Sequence, residues 1–94
     1  MLSVENKWVL MSKDRHWIVK GTVQGRHLVP MMDSRDKKRI LTYNDSGTAM
    51  TAAKIGRFNV KNPPWGEYRN QDAWIAQNLE PVPVLITMEE MEQQ

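Results

Sequence analysis

Two histidines are the residues of this chain best suited to acid–base chemistry or metal binding. His16 and His27 fall in separate segments of alternating polar and apolar residues. A zinc site needs three or four converging ligands, and no cysteine or carboxylate stands at ligand spacing beside either histidine. We therefore expect both histidines to be polar residues of a sheet, and the sequence predicts no metal and no cofactor.

Nucleophilic catalysis has equally little support. A Ser-His-Asp triad needs a serine held against a histidine, whereas the serines of the polar stretches are typical of turns and helix caps: Ser12, Ser34 and Ser46. The five glycines are scattered and form no phosphate-binding loop. Clustered carboxylates occur in a C-terminal tail that cannot hold catalytic geometry: Glu89, Glu90 and Glu92. These patterns predict that the protein is not an enzyme.

The charge distribution favours binding instead. All thirteen Lys and Arg residues lie between Lys7 and Arg69, so residues 1–69 carry +7 (thirteen basic, six acidic) and residues 70–94 carry −5 (five acidic). Like charges on one surface raise a potential that attracts partners of opposite charge. The segregation therefore indicates a binding surface, and it indicates no particular chemistry.

The basic residues form a candidate partner-binding set. Four of them fall within five positions, on a turn that enters a strand, and others come from neighbouring hairpins. If these turns lie on one side, they form a patch that can contact phosphates or an acidic protein. The alternative is a solvated face that keeps the protein soluble. The residues proposed as contacts are Lys13, Arg15, Arg35, Lys37, Lys38 and Arg39.

A proline-rich loop over residues 62–66 is the second candidate contact region. Trp65 lies in this loop, with Tyr68 and Arg69 after it, and Trp, Tyr and Arg are enriched at interface hot spots. The alternative is that Trp65 plugs the bottom of a small core. The other tryptophans fall in periodic segments and are expected in the core: Trp8, Trp17 and Trp74.

The elements that must position these residues are mainly strands in the first half of the chain. Alternation of apolar and polar residues predicts strands over residues 7–11, 16–23, 26–32 and 37–43. Gly25 supplies a residue that tolerates positive φ between the second and third strands, and residues 33–36 form the next turn. Phe58 and Val60 indicate a brief extended segment.

Two helices and a closing strand complete the prediction. A helix over about residues 47–55 follows the capping sequence 44–46 and stops at Gly56, and a second runs over about 71–79 with Asn70 as its cap. Residues 81–88 read as a strand. Pro81 and Pro83 both lack an amide on the same lateral side, so we expect this strand to be an edge. The tail, residues 89–94, is expected to be frayed.

The sequence therefore predicts a small single domain over residues 1–94, of the α+β class. It combines an antiparallel sheet of N-terminal hairpins with a C-terminal edge strand and two short helices. The outline is similar to that of many small phage and plasmid proteins, which often bind host nucleic-acid machinery stoichiometrically. That resemblance implies an accessory protein or inhibitor with a protein or nucleoprotein partner. A direct nucleic-acid-binding domain is the alternative, and the absence of cysteine is compatible with the cytoplasm.

Overall fold

The computed structural model describes residues 2–31, 37–55 and 57–89. Four parts of the prediction lie outside these residues: the end of the third strand at Met32, the turn 33–36, the stop of the first helix at Gly56 and the tail beyond Glu89. The elements are β1 (Leu2–Ser12), β2 (Trp17–Thr22), β3 (Gly25–Pro30), β4 (Arg39–Ile40), α1 (Ser46–Lys54), α2 (Gln71–Asn78) and β5 (Leu79–Glu89).

The strands form one antiparallel sheet, in which the order is β3-β2-β1-β5 and β4 pairs with β2. The predicted α+β architecture is confirmed. β1 and β5 pair along their whole length, from Leu2 with Glu89 to Ser12 with Leu79. The first and last strands of the chain are thus neighbours, while β2 and β3 extend the sheet on the other side of β1.

The core joins one face of the sheet to both helices. The sheet contributes buried residues from β1, β2, β3 and β5, while the helices contribute alanines and two larger side chains. Alternation along a strand places Val19 and its cross-strand partner Leu28 on this face. The core cluster comprises Leu10, Val19, Leu28, Ala49, Ala53, Phe58, Trp74, Ile75 and Leu79.

The predicted fourth strand, residues 37–43, is interrupted. Arg39 and Ile40 pair with β2, whereas Tyr43 forms an antiparallel bridge with Trp8 of β1. Because β1 and β2 run in opposite directions, one straight segment cannot be antiparallel to both. The chain therefore changes direction after Ile40. Leu41, in the bend, packs over Gly21, where an added Cβ would lie 2.8 Å from its Cδ2 atom.

Both helices begin at the predicted capping sequences. The Asp45 side chain accepts a hydrogen bond from the Thr48 amide at 2.7 Å, and Asn70 accepts one from the Ala73 amide at 3.0 Å. Each bond satisfies a first-turn amide that has no partner within the helix. No helix in the described part of the chain is long and apolar enough to cross a membrane.

The closing strand β5 is an edge, as the two prolines predict. Trp8 exchanges both of its backbone hydrogen bonds with Tyr43, so it directs none to Pro83, its partner in β5. Backbone groups of alternate residues point the same way. Pro81 and Pro83 therefore face the open side of β5, where a missing N–H costs no bond in the sheet.

Candidate partner-binding surface

Arg26 organises the end of the sheet that carries most of the basic residues. Its guanidinium donates to the backbone carbonyls of Ala52 and Ile55 at the end of α1, and it lies 4.4 Å from the centroid of the Phe58 ring. The last carbonyls of a helix lack partners within the helix and carry a partial negative charge. Arg26 thus fastens α1 to β3 and has a structural role.

A groove borders the turn between β2 and β3. We call it the hairpin groove; its volume is about 680 Å³. Lys37 and Arg39 are both exposed, and Val23 at the tip of the turn is completely exposed. The residues that line the groove are Gly21, Thr22, Val23, Gly25, Arg26, Lys37, Arg39 and Leu41.

A second cavity, of about 530 Å³, lies at the outer edge of β3. We call it the edge pocket. The 57–62 segment forms one wall, because Asn59 exchanges hydrogen bonds with β3: its carbonyl accepts from Leu28 at 3.1 Å and its amide donates to Arg26 at 2.9 Å. The Phe58 amide also donates to the Gln71 side chain at 3.2 Å, which ties the segment to α2.

The edge pocket combines cationic, amide and apolar side chains. Lys38 comes from the segment before β4 and Lys61 from the 57–62 segment, and Trp17, the first residue of β2, adds an aromatic side chain. Side chains alternate along an extended segment, which explains why Lys38 lines this pocket while Lys37 and Arg39 line the hairpin groove. The basic residues 37–39 therefore contribute to both cavities.

We use the name basic end for the part of the fold made by β2, β3, β4 and residues 37–38 and 57–62. No acidic residue occurs in these segments, whereas they hold seven of the thirteen Lys and Arg residues. These segments thus concentrate cations, while Asp33 and Asp36, between β3 and Lys37 in the chain, lie outside the described residues. The seven basic residues are Lys20, Arg26, Lys37, Lys38, Arg39, Arg57 and Lys61.

Lys13 and Arg15, two of the predicted contacts, lie at the opposite end of β2. Both belong to the turn between β1 and β2, whereas Arg39 pairs with Gly21 near the end of β2. Arg15 adopts a positive φ of 64° and lies 3.4 Å from the Glu80 carboxylate. The structure therefore separates these two residues along β2 from Lys37 and Arg39, whereas Lys38 lines a cavity with Trp17 at the start of β2. Arg35 lies outside the described residues.

Hydrogen bonding fixes the turn that carries Lys13 and Arg15. The buried Ser12 hydroxyl donates to the Asp14 carboxylate at 2.5 Å and accepts from the Trp17 amide at 2.9 Å. The bond from Ser12, followed by one from the His16 amide, lowers the pKa of Asp14 below its ordinary value, because both favour the ionised form. Ser12 is therefore committed to the turn.

The Trp65 loop lies against the core. Trp65 is half-buried, and its ring centroid is 5.9 Å from that of Trp74. Tyr68 also packs on the core cluster, while Arg69 is exposed. Trp74 is buried, as predicted, and Trp8 and Trp17 are partly buried against the same cluster.

His27 makes a polar contact of the kind expected on a sheet, but His16, predicted to lie in the second strand, belongs to the turn before β2. The Nε2 atom of His27 lies 3.0 Å from the Thr22 hydroxyl, on the neighbouring strand. In residues 2–31, 37–55 and 57–89, no three His, Asp or Glu side chains converge in a way that could hold a metal ion.

Comparison of the chain with protein families, curated proteins and solved structures finds no match.

The edge pocket could not be predicted from the sequence. Phe58 and Val60 indicated an extended segment, but nothing in their pattern showed that Asn59 would bridge to His27 in parallel. That bridge places Val60 and Lys61 beside β3.

Proposed function

We propose that this chain is a non-enzymatic binding protein, which contacts a protein or nucleoprotein partner through its basic end. The observation that carries the proposal is the concentration of Lys and Arg in neighbouring segments of the sheet. The segments of the basic end hold seven of the thirteen Lys and Arg residues. A surface of one sign favours a partner of the opposite sign.

The exposed residues of the hairpin groove supply the contacts in this proposal. Lys37 and Arg39 face solvent, and Val23 adds an apolar group at the tip of the turn. Arg26 contributes indirectly, since its guanidinium already binds the end of α1. An acidic surface that meets this groove gains charge pairs at its rim and apolar contact at the tip.

The proposal includes an accessory or inhibitory role on host nucleic-acid machinery, of the kind that small mobile-element proteins perform, and a cytoplasmic location.

A capture experiment tests whether the basic end contacts a partner. The immobilised protein is exposed to a cognate lysate with and without nuclease, and the double variant Lys37→Gln/Arg39→Gln is compared with Lys13→Gln/Arg69→Gln. Both pairs lose two charges, but Lys13 and Arg69 line neither cavity.

The proposal predicts a partner that survives nuclease treatment and is lost only with the groove variant. Equal capture by both double variants and the wild type would contradict a role for the basic end. Loss of capture with the Lys13/Arg69 variant alone would assign the contact to the other predicted residues.

Direct nucleic-acid binding is the second candidate function. It is favoured by the edge pocket, where Trp17 and two lysines line one cavity, because binders of single strands combine basic grooves with aromatic side chains. Affinity for an oligonucleotide that falls steeply with added salt supports this candidate, since phosphate contacts release counterions. Capture of a partner with no oligonucleotide affinity supports the first.

A further inference from the structure

We propose that the edge pocket binds one nucleotide of a single-stranded nucleic acid, with its base against Trp17 and its phosphates near Lys38 and Lys61. This inference rests on the second candidate function. The ligand expected in the pocket is a flat aromatic ring attached to an anionic group. We assign it to a nucleotide within a nucleic-acid strand.

The volume of the pocket suits a small molecular group. Its volume of about 530 Å³ lies within the range of about 300–1,000 Å³ that is typical of small-molecule sites. The walls are held by the two hydrogen bonds between Asn59 and β3 and by the bond from Phe58 to Gln71. The pocket is therefore largely formed before a ligand enters.

The chemistry of the lining separates an apolar part from a charged part. Trp17, Pro30 and Val60 provide apolar surface, while Lys38 and Lys61 provide cations. Trp17 is held by an edge contact with Trp74, with centroids 6.5 Å apart and ring planes at 80°. An aromatic side chain beside a phosphate-binding cation is the arrangement on which bases of a single strand stack.

An added β-strand from a protein partner fits this site poorly. The carbonyl of Arg26 and the amide of Leu28 point outward and are already bonded to Asn59. Pro30 is the next residue of β3 in the same alternation, and it has no N–H to offer. The edge beside the pocket therefore lacks the donors that strand addition requires, whereas a nucleobase needs only the ring and its surroundings.

The residues on either side of Lys38 favour a nucleic-acid strand over a free nucleotide as the ligand. Lys38 lies in the pocket, and Lys37 and Arg39 lie directly beside it in the chain, on the groove side. A nucleic-acid strand that leaves the pocket past the start of β4 meets these two further cations. A mononucleotide cannot use them.

The test measures binding of a fluorescently labelled ten-residue oligothymidylate and of thymidine monophosphate. Trp17→Leu removes the stacking ring, and we expect affinity for the oligonucleotide to fall about 5- to 100-fold, the range for loss of one base–aromatic stack. Trp17→Phe keeps an aromatic face and should retain affinity within about fivefold. Thermal unfolding of both variants checks that the fold is retained.

The charge variants test the pocket without touching the core. Lys61→Gln should reduce the slope of log affinity against log salt by about 0.7, as expected for one phosphate contact to a single strand. Lys54→Gln, at an exposed lysine of the last turn of α1 that lines neither cavity, is the matched control and should leave the slope unchanged.

Three outcomes would overturn the inference. Oligonucleotide binding that is lost with Lys37→Gln/Arg39→Gln but unaffected by Trp17→Leu and Lys61→Gln removes the pocket and retains nucleic-acid binding by the groove. Equal affinity for the monophosphate and the oligonucleotide assigns the pocket to a free nucleotide. No binding of either probe, by a protein that still captures its partner after nuclease treatment, removes the pocket and the second function together and leaves the first function intact.

Discussion

Replacement of Arg26 by Met should destabilise the fold strongly, although Arg26 is one of the basic residues of a candidate binding surface. Its guanidinium bonds two carbonyls at the end of α1 and lies over the Phe58 ring. Met retains an apolar stem of similar reach and removes the charge and all the donors. The carbonyls of Ala52 and Ile55 would then lose the Arg26 donors at the end of the helix.

The magnitude follows from these contacts. Hydrogen bonds to charged groups contribute about 1.5–3 kcal/mol each, and a cation–π contact at an exposed site contributes about 0.5–1 kcal/mol. Solvent can reach this partly exposed site and replace some of what is lost. We therefore expect a net cost of about 2–3 kcal/mol, which corresponds to a fall in Tm of about 10–20 °C for a domain of this size.

Thermal unfolding followed by circular dichroism measures this effect. Arg57→Met is the control, because Arg57 is exposed and such substitutions change stability by about 0.5 kcal/mol or less. Arg26→Lys should fall between wild type and Arg26→Met, since an ammonium keeps the charge but cannot bond both carbonyls as a planar fork does. A fall in Tm of less than about 3 °C for Arg26→Met would refute the role of Arg26 in fastening α1 to β3.

Three further predictions concern other parts of the fold. Trp65→Ala should cost about 2 kcal/mol in unfolding free energy, less than a fully buried Trp, because Trp65 is half-buried beside Trp74; an unchanged melting curve would show that it is a contact residue only. Replacing Pro81 and Pro83 by Thr should restore amides on the open edge and promote self-association, and light scattering that stays flat with concentration would argue that this edge is covered. The pKa of Asp14 is lower in the folded state, so its stabilising effect is present above about pH 4 and is lost as pH falls through the folded value; Asp14→Asn should flatten that acid limb in pH-dependent unfolding, and an identical limb would contradict it.

The sequence was most informative where local chemistry decides the structure. Asp45 and Asn70 cap their helices through the side-chain oxygens that made them candidates. Pro81 and Pro83 predicted an edge because a missing amide has the same consequence in any sheet. These features depend on a few neighbouring atoms, and so they can be read from a short stretch of chain.

Features that depend on distant pairings could not be read in this way. Residues 37–43 have a continuous strand pattern, but Tyr43 pairs with Trp8 while Ile40 pairs with Lys20. Only the fold fixes that change of partner. Lys13 and Arg39 likewise looked like neighbours on adjacent hairpins, whereas Lys13 lies in the turn before β2 and Arg39 pairs with Gly21 near the other end of β2.

Arg26 illustrates the same limit for the candidate site. In the sequence, Arg26 is only one of thirteen basic residues. Its contact with the end of α1 depends on how β3 packs against that helix. The edge pocket depends on the bridge from Asn59 to His27. In both cases the residue type was visible in the sequence and its role was decided by packing between elements far apart in the chain.

Elution from a heparin column tests the central claim most directly, because heparin is a polyanion and elution salt reports the cationic surface that binds it. The basic end predicts that Lys37→Gln/Arg39→Gln elutes at clearly lower salt than wild type. Lys13→Gln/Arg69→Gln, with the same loss of charge, should elute close to wild type. If the two double variants elute together, net charge alone governs binding, and the assignment of a binding surface to the basic end is contradicted.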